Sequence, residues 1–267
     1  MRIICDDLNA EHQALDALVA DLGDEKWLTM TPSPGWNIQD EIRHLAYFDD
    51  RAALSAVHPE AFNRHIEEVM SDIQGFIKTL DEVGRDMSVG ELLGWWRNER
   101  RTMLEALAGL DPKDRLPWYG PPMSALSFAT ARLMETWAHG QDVFDALQIK
   151  RVNTDRLRHI AHLGVTTFGW SYTNRGLAVP ESKVRVELKA PSGALWAWGP
   201  EAAPDQIRGS AEDFCLVVVQ RRHVDDTMLE VIGEVARDWM LKAQCFAGPA
   251  TDGPQPGARL SGTKHGE

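Results

Sequence analysis

Apolar residues recur every three or four positions through most of the first half of the chain, which is the period of an amphipathic helix. In the first such segment, Ile4, Leu8, Leu15, Leu18 and Leu22 fall on one stripe. The same period predicts helices over five segments: 3–22, 37–57, 60–82, 88–107 and 124–147. Four long helices with short connections, together with a fifth, indicate a helical bundle.

Polar residues support the predicted starts of two of these helices. Asn37 is a suitable N-cap because its side-chain oxygen can accept a hydrogen bond from a free backbone amide, and Asp40 favours the positive end of the helix. Ser88 and Glu91 have the spacing of a capping box. Both helices therefore have a defined beginning in the sequence.

The pattern changes after Lys150. Asp155 is placed to cap a sixth helix that ends near residue 173. Val184, Val186 and Leu188 then alternate with charged residues, as on a half-buried strand. Two further strands are predicted at 194–198 and 206–209, and two further helices at 211–220 and 226–246.

These patterns predict an α+β fold that is mainly α. The expected organisation is a helical bundle over residues 1–150, a small α+β domain over 151–247, and a tail over 248–267. Because the tail is rich in glycine and proline, we expect it to form no packed element and to be mobile.

The charge balance restricts the class of partner. The chain has 267 residues, with 40 acidic against 28 basic ones and a net charge of −12, which argues against a nucleic-acid partner.

The chain lacks both a run of about 18 apolar residues for a membrane span and the apolar region of a secretion signal, so we expect a cytoplasmic protein without a membrane partner. Cys5, Cys215 and Cys245 show no CxxC spacing and are expected to be reduced, buried thiols.

Glu135 and His139 are the first candidates for chemistry. Their spacing places a carboxylate and an imidazole one turn apart on one helix face, where both can reach a single metal ion. The alternative is a Glu–His hydrogen bond on a solvated face. The apolar and aromatic residues around the pair favour burial, and His44 on the second predicted helix supplies another ligand type, since bundles build metal sites from facing helices.

Two segments resemble known signatures. The segment 34–46, which reads PGWNIQDEIRHLA, resembles the region around the first metal ligand in the mycothiol-dependent maleylpyruvate isomerase family, a member of the DinB-like superfamily of metal-binding four-helix bundles. The segment 135–143, which reads ETWAHGQDV, is similar to that family's second signature. The resemblance implies a DinB-like four-helix bundle with His44, Glu135 and His139 as metal ligands.

Two more residues are candidates near this site. Asp142 is three residues beyond His139 and is expected to hold a ligand imidazole or a metal-bound water, with a charge on a solvated helix face as the alternative. His12, in the first helix, is a further candidate for lining the same cavity.

The second half carries a weaker resemblance. Its helix, hairpin and Gly209–Asp213 segment are similar to the C-terminal domain of these isomerases and also to a domain named for wyosine formation, a tRNA modification. We discount the tRNA function because the chain is acidic and lacks a radical-cofactor cysteine cluster. Arg221 or Arg222 could bind an anionic substrate group, or either could be a solvated charge at a helix end.

Two imidazoles and one carboxylate leave a divalent ion with at least one open position, as in catalytic zinc sites. Zinc is the expected ion, although iron, nickel or manganese can use the same ligands and a non-haem iron oxygenase has a similar set. The resemblance implies that a low-molecular-weight thiol or a water bound to the metal is the nucleophile, so no protein nucleophile is assigned. We expect a metal-dependent thiol transferase or isomerase acting on a small acid, for example an unsaturated one. The alternative is a non-catalytic metal-binding protein, such as a sensor or stress-linked module, and the oligomeric state is left open.

Overall fold

The N-terminal half folds into long helices in the computed structural model, which describes residues 1–259. This half forms one unit, Met1–Leu147. Its elements are α1 (Arg2–Val19), α2 (Asp24–Trp27), α3 (Ile38–Val57), α4 (Pro59–Ser71), α5 (Ile73–Glu82), α6 (Val89–Ala108), β1 (Arg115–Leu116), β2 (Met123–Ser124) and α7 (Ala125–Ala146).

The two predicted caps are present. The Asn37 side chain accepts a hydrogen bond from the Asp40 backbone amide at 3.0 Å, and the Asp40 carboxylate accepts one from the Asn37 amide at 3.0 Å. Ser88 and Glu91 form the same reciprocal arrangement at the start of α6. These caps satisfy amides that have no partner within the helix, so α3 and α6 begin where the sequence predicts.

Four helices make the bundle, with α1 and α3 each packed against both α6 and α7. Their apolar stripes meet in a core that excludes water. Its members include Leu15, Val19, Trp27, Ile38, Ile42, Leu45, Leu92, Trp96 and Val143. The predicted mainly-α helical bundle is thus confirmed.

The second unit, Gln148–Glu267, contains a small mixed sheet with helices. Its elements are α8 (Leu157–Thr166), α9 (Phe168–Thr173), β3 (Val184–Lys189), β4 (Leu195–Trp198), β5 (Asp205–Ser210), α10 (Ala211–Val218), a 3-10 turn (Val224–Asp226), β6 (Glu230–Ile232) and α11 (Glu234–Lys242). The strand order is β4-β3-β5-β6, with β3 antiparallel to β4 and parallel to β5. No helix within residues 1–259 has the length and apolar character needed to cross a membrane.

Two predicted helices are each divided into two. The segment 60–82 is broken at Asp72, which leaves the helical conformation and instead caps α5 by accepting a hydrogen bond from the Gly75 amide at 2.8 Å. The predicted sixth helix is divided between α8 and α9. Asp155 does not cap it, because its carboxylate accepts a hydrogen bond from the Ser192 amide at 3.0 Å.

The predicted helix at 226–246 is wrong over its first half. This stretch forms the end of the 3-10 turn, then β6, and only then α11. Gly233 separates the strand from the helix with a φ of +94°, and a Cβ there would lie 2.2 Å from the Asp205 carboxylate. The tertiary contact with Asp205 therefore requires glycine and overrides the helical period of the segment.

The start of the tail forms hydrogen bonds with earlier residues of the second unit, and its mobility stays a prediction. Residues 248–259 contain no helix or strand, yet the Gln220 side chain donates to the Thr251 carbonyl at 2.8 Å, and the Thr251 amide donates to the Gln244 side chain at 3.2 Å. The Gly257 amide also donates to the Asp226 carboxylate at 2.9 Å. The side chains of Gln220, Gln244 and Asp226 thus contact a segment that forms no helix or strand. The rest of the predicted tail, 260–267, lies outside the described residues.

Candidate metal centre

Helix α3 carries the first predicted ligand. The cap at Asn37 fixes the start of the helix, which puts His44 two turns in. The helix buries its apolar side in the core and leaves the His44 imidazole partly exposed. His44 therefore has both a rigid support and access to solvent.

Helix α7 carries the other two ligands. It begins at the Ser124 cap and is buried on most of its surface, as its apolar sequence predicts. Glu135 and His139 lie one turn apart on it, with Glu135 Oε2 3.3 Å from His139 Nε2. Glu135 is partly exposed, whereas His139 is 8% exposed.

The packing of α3 against α7 brings the three predicted ligands together. The His44 and His139 ring centroids are 4.3 Å apart, and one ligand atom from each of His44, Glu135 and His139 lies within 4.8 Å of the others. Two atoms bound at about 2.1 Å to one tetrahedral zinc ion are about 3.4 Å apart. The Glu135–His139 separation already has this value, so the donor set fits a divalent ion.

Glu41 is a member of the cluster that the sequence analysis missed. Its carboxylate is fully buried, and Oε2 lies 2.7 Å from His139 Nδ1. The other oxygen, Oε1, accepts a hydrogen bond from the Thr31 hydroxyl at 2.7 Å. The available signal was its position three residues before His44, on the same helix face, but an acidic residue in a first turn is also typical of a solvated helix start.

Asp142 is buried beside these residues. Its carboxylate accepts a hydrogen bond from the Ser33 hydroxyl at 3.0 Å, and it forms a second close group of potential ligands with Glu41 and His139. The group that contacts His139 Nδ1 at 2.7 Å is the Glu41 carboxylate. The outer role expected for Asp142 stays a prediction.

Trp36 covers one side of the site. Its indole ring stacks on the His139 imidazole with centroids 5.8 Å apart and planes inclined by 20°, and it also contacts the His44 ring at 5.1 Å. Trp36 is held in the loop before α3, where its carbonyl accepts from the Thr31 amide at 2.8 Å. The loop thus supplies both an aromatic wall and the hydroxyl that binds Glu41.

His12 belongs to a different buried cluster. Its Nε2 lies 3.7 Å from Asp49 Oδ2, while Asp49 Oδ1 accepts from Arg132 at 2.8 Å. Burial lowers the pKa of His12 well below its ordinary value, and the charges of Arg100 and Arg132 lower it further. Burial likewise raises the pKa of Asp49, against the effect of Arg132. The contacts of His12 within the described residues are therefore with this cluster and not with the three predicted ligands.

Arg221 and Arg222 lie in the second unit, just after α10. The Arg221 guanidinium donates to the Val219 carbonyl at 2.9 Å, and that of Arg222 donates to the Arg221 carbonyl at 2.7 Å. These bonds hold both side chains close to the turn that ends α10. Their role in substrate binding stays a prediction.

All three cysteines are buried free thiols, as expected. Burial raises the pKa of Cys5 and raises that of Cys215 well above its ordinary value. Because the thiolate is the reactive form, these two side chains are poor nucleophiles.

Comparison with known protein families gives two matches. The model described as the mycothiol maleylpyruvate isomerase N-terminal domain matches residues 8–144, which contain all three predicted ligands. A model described as wyosine base formation matches residues 180–231 in the second unit.

Comparison with individual proteins gives two relatives and two solved structures. Two Mycobacterium tuberculosis proteins, from strains CDC 1551 and H37Rv and both described as uncharacterized, are 46% identical over 244 residues, which is 91% of this chain and 95% of theirs. The crystal structures of the mycothiol-dependent maleylpyruvate isomerase and of a histidine mutant of it each cover 81% of this chain and 87% of their own, with a TM-score of 0.50 and 15% identity. At that identity, the structural likeness establishes the fold.

Proposed function

This chain belongs to the mycothiol maleylpyruvate isomerase family, and from that premise we propose that it is a metal-dependent, thiol-using enzyme. Its reaction is the isomerisation of a small unsaturated acid, or the transfer of a low-molecular-weight thiol to one. Mycothiol and maleylpyruvate, which name the family, are the first thiol and substrate to test.

The observation that carries this proposal is the convergence of His44, Glu135 and His139 on one point. Two nitrogen ligands and one carboxylate oxygen, all within 4.8 Å of one another, make a donor set suited to zinc. Three protein ligands are characteristic of catalytic zinc sites, whereas structural sites usually have four. The partial exposure of His44 and Glu135 supports access to the remaining position from solvent.

When bound, a divalent ion at such a site lowers the pKa of a thiol or water in its open position. The protein's own residues would orient the reaction. His44 and His139 provide neutral ligands, Glu135 provides one negative charge, and Trp36 shields one side of the imidazoles from water.

The burial of the protein's own cysteines supports a role for a small thiol from solvent as the nucleophile. Cys5, Cys215 and Cys245 are all buried, and the raised pKa of Cys5 and Cys215 keeps those two protonated near neutral pH. A small thiol that enters from solvent is therefore a better nucleophile. For the acid substrate, Arg221 and Arg222 are the proposed partners of a carboxylate group.

The test is an assay of the zinc-loaded protein with mycothiol and maleylpyruvate, in which the absorbance of the substrate reports its conversion. We expect turnover that requires both metal and thiol and that is lost in His44→Ala. As a binding test, the cobalt-loaded protein should develop a thiolate-to-cobalt charge-transfer band when mycothiol is added.

The alternative, a non-catalytic metal-binding protein, gives a different result. In that case the protein would hold one divalent ion per chain, yet mycothiol would leave the cobalt spectrum unchanged and no unsaturated acid would react. A folded wild-type protein that binds no divalent ion at all would overturn both functions.

A further inference from the structure

Within residues 1–259, the Glu41 carboxylate contacts two polar side chains, one through each of its oxygens. Oε2 lies 2.7 Å from His139 Nδ1, and Oε1 accepts from the Thr31 hydroxyl at 2.7 Å. The Thr31 oxygen in turn accepts from the Ser33 amide at 3.2 Å. A chain of hydrogen bonds therefore runs from the loop before α3, through Glu41, to the imidazole on α7.

The burial of Glu41 calls for an explanation. A buried carboxylate loses its hydration and is retained only where specific partners compensate. The one side chain that forms an ion pair with Glu41 within residues 1–259 is the His139 imidazole. The carboxylate is thus aimed at this ring.

The two nitrogens of His139 face different carboxylates. Nδ1 faces Glu41 at 2.7 Å, and Nε2 faces Glu135 at 3.3 Å. An ionised carboxylate only accepts hydrogen bonds, so the close contact at Nδ1 requires a proton on that nitrogen. A neutral imidazole with its proton on Nδ1 has its lone pair on Nε2, the nitrogen that faces Glu135.

We propose that Glu41 is a positioning residue that selects the Nδ1–H tautomer of His139 and directs its Nε2 lone pair to the metal. This inference rests on the proposed metal site. Carboxylates that bind the outer nitrogen of a ligand histidine fix the ring and make the coordinating nitrogen more basic. Thr31 holds Glu41 in place, and the stacked Trp36 ring limits rotation of the His139 plane.

The experiment compares two substitutions at Glu41 in the full-length protein. Glu41→Leu removes the acceptor, whereas Glu41→Gln keeps a carbonyl oxygen that can accept from Nδ1 and an amide that can donate to the Thr31 hydroxyl. Asp40→Asn is the control, because it removes one negative charge from the neighbouring position while keeping the capping oxygen. Circular dichroism checks that each variant is folded.

Two readouts separate positioning from a structural role. The first is the tautomer of His139 in the metal-free protein, read from the imidazole ¹⁵N chemical shifts at a pH high enough for the ring to be neutral. The second is the zinc Kd from competition with a chelator. In the wild type and Asp40→Asn we expect the Nδ1–H tautomer and the same Kd.

We expect Glu41→Leu to lose the single tautomer and to bind zinc about 10- to 100-fold more weakly, as changes in outer-shell partners do. Glu41→Gln should keep the tautomer and lose less affinity. A folded Glu41→Leu protein with an unchanged tautomer and Kd would overturn the role of Glu41. If Glu41→Leu does not fold, the tautomers of the wild type and Glu41→Gln decide: the Nδ1–H form in both supports the role, and the Nε2–H form in the wild type overturns it.

Failure of the proposed metal site gives a different pattern. In that case the wild type itself would bind no zinc, while the tautomer in the metal-free protein would still report whether Glu41 orients His139.

Discussion

Each nitrogen of the His139 imidazole faces a carboxylate, so this side chain links the interior of the bundle to the partly exposed ligands. Replacing it by alanine should leave His44 and Glu135 as a two-ligand site that loses its ion on dialysis. Helix α7 should persist, because alanine is the best helix former and the apolar face of α7 is unchanged. Metal content, measured together with circular dichroism, tests this expectation.

Asp142→Asn provides the comparison for His139→Ala. It changes a neighbour of the site rather than a proposed ligand, so it should weaken metal affinity about 10- to 100-fold without abolishing binding. A folded His139→Ala protein that retains its full metal content would show that His139 is not a ligand, and the assignment of Glu135 would fall with it.

The buried His12 predicts a loss of stability in mild acid. Its pKa is lowered in the folded protein, so below the ordinary value of about 6.5 the unfolded chain binds a proton that the folded chain does not. The free energy of unfolding should therefore fall as the pH decreases through that value. Between pH 7.5 and 5.5 the contribution of His12 should change by about 1 kcal/mol, and urea unfolding at the two pH values tests this.

His12→Leu isolates this effect. Asp49 acts in the opposite direction, because its raised pKa makes the folded chain bind a proton more readily in acid. The prediction therefore concerns the difference in stability between wild type and variant, which should move in favour of the variant at pH 5.5. A difference that stays constant across this range would show that His12 titrates normally.

At the scale of the helix, two glycines in the second unit should respond oppositely to alanine. A Cβ on Gly164 in α8 would lie 2.9 Å from the Val218 side chain and 3.1 Å from Phe214 of α10. A Cβ on Gly169 in α9 would meet nothing closer than 3.9 Å. Gly164→Ala should destabilise the protein by about 1–3 kcal/mol, and Gly169→Ala should stabilise it by up to about 1 kcal/mol.

Thermal or denaturant unfolding of both variants measures these changes. If both alanines stabilise the protein, Gly164 is not in close contact with Val218 and Phe214 of α10.

Local signals predicted the helices that begin at their own caps. Asn37 and Ser88 start α3 and α6 through contacts with residues three positions later, and such contacts can be recognised in the sequence. The break at Gly233 depends on Asp205, which is distant in the chain, so the helical period alone gave the wrong element. The same distinction explains the site: spacing indicated Glu135 and His139, whereas Glu41 meets His139 only through the packing of α3 on α7.

At the scale of the whole molecule, the first unit contains all the proposed ligands and a core of its own. A fragment that ends near Lys150 should therefore fold and bind about one divalent ion per chain, since the ligands and the helices that hold them are all present. Metal analysis of the purified and reconstituted fragment tests this. A folded fragment without metal would mean that the second unit supplies something essential to binding.

The position of Trp36 has an optical consequence. Its indole lies against both His44 and His139, so a paramagnetic ion held by these imidazoles is close enough to quench its fluorescence, whereas zinc has a filled d shell and should not. Titration with cobalt should dim the protein's emission, and subsequent zinc in excess should restore it. Because the chain has ten tryptophans, Trp36→Phe is needed to identify the source, and it should remove most of the cobalt-dependent change. An equal cobalt-dependent change in Trp36→Phe would assign the signal to another indole. If the change is lost, Trp36 is a built-in fluorescent reporter of metal exchange at this site.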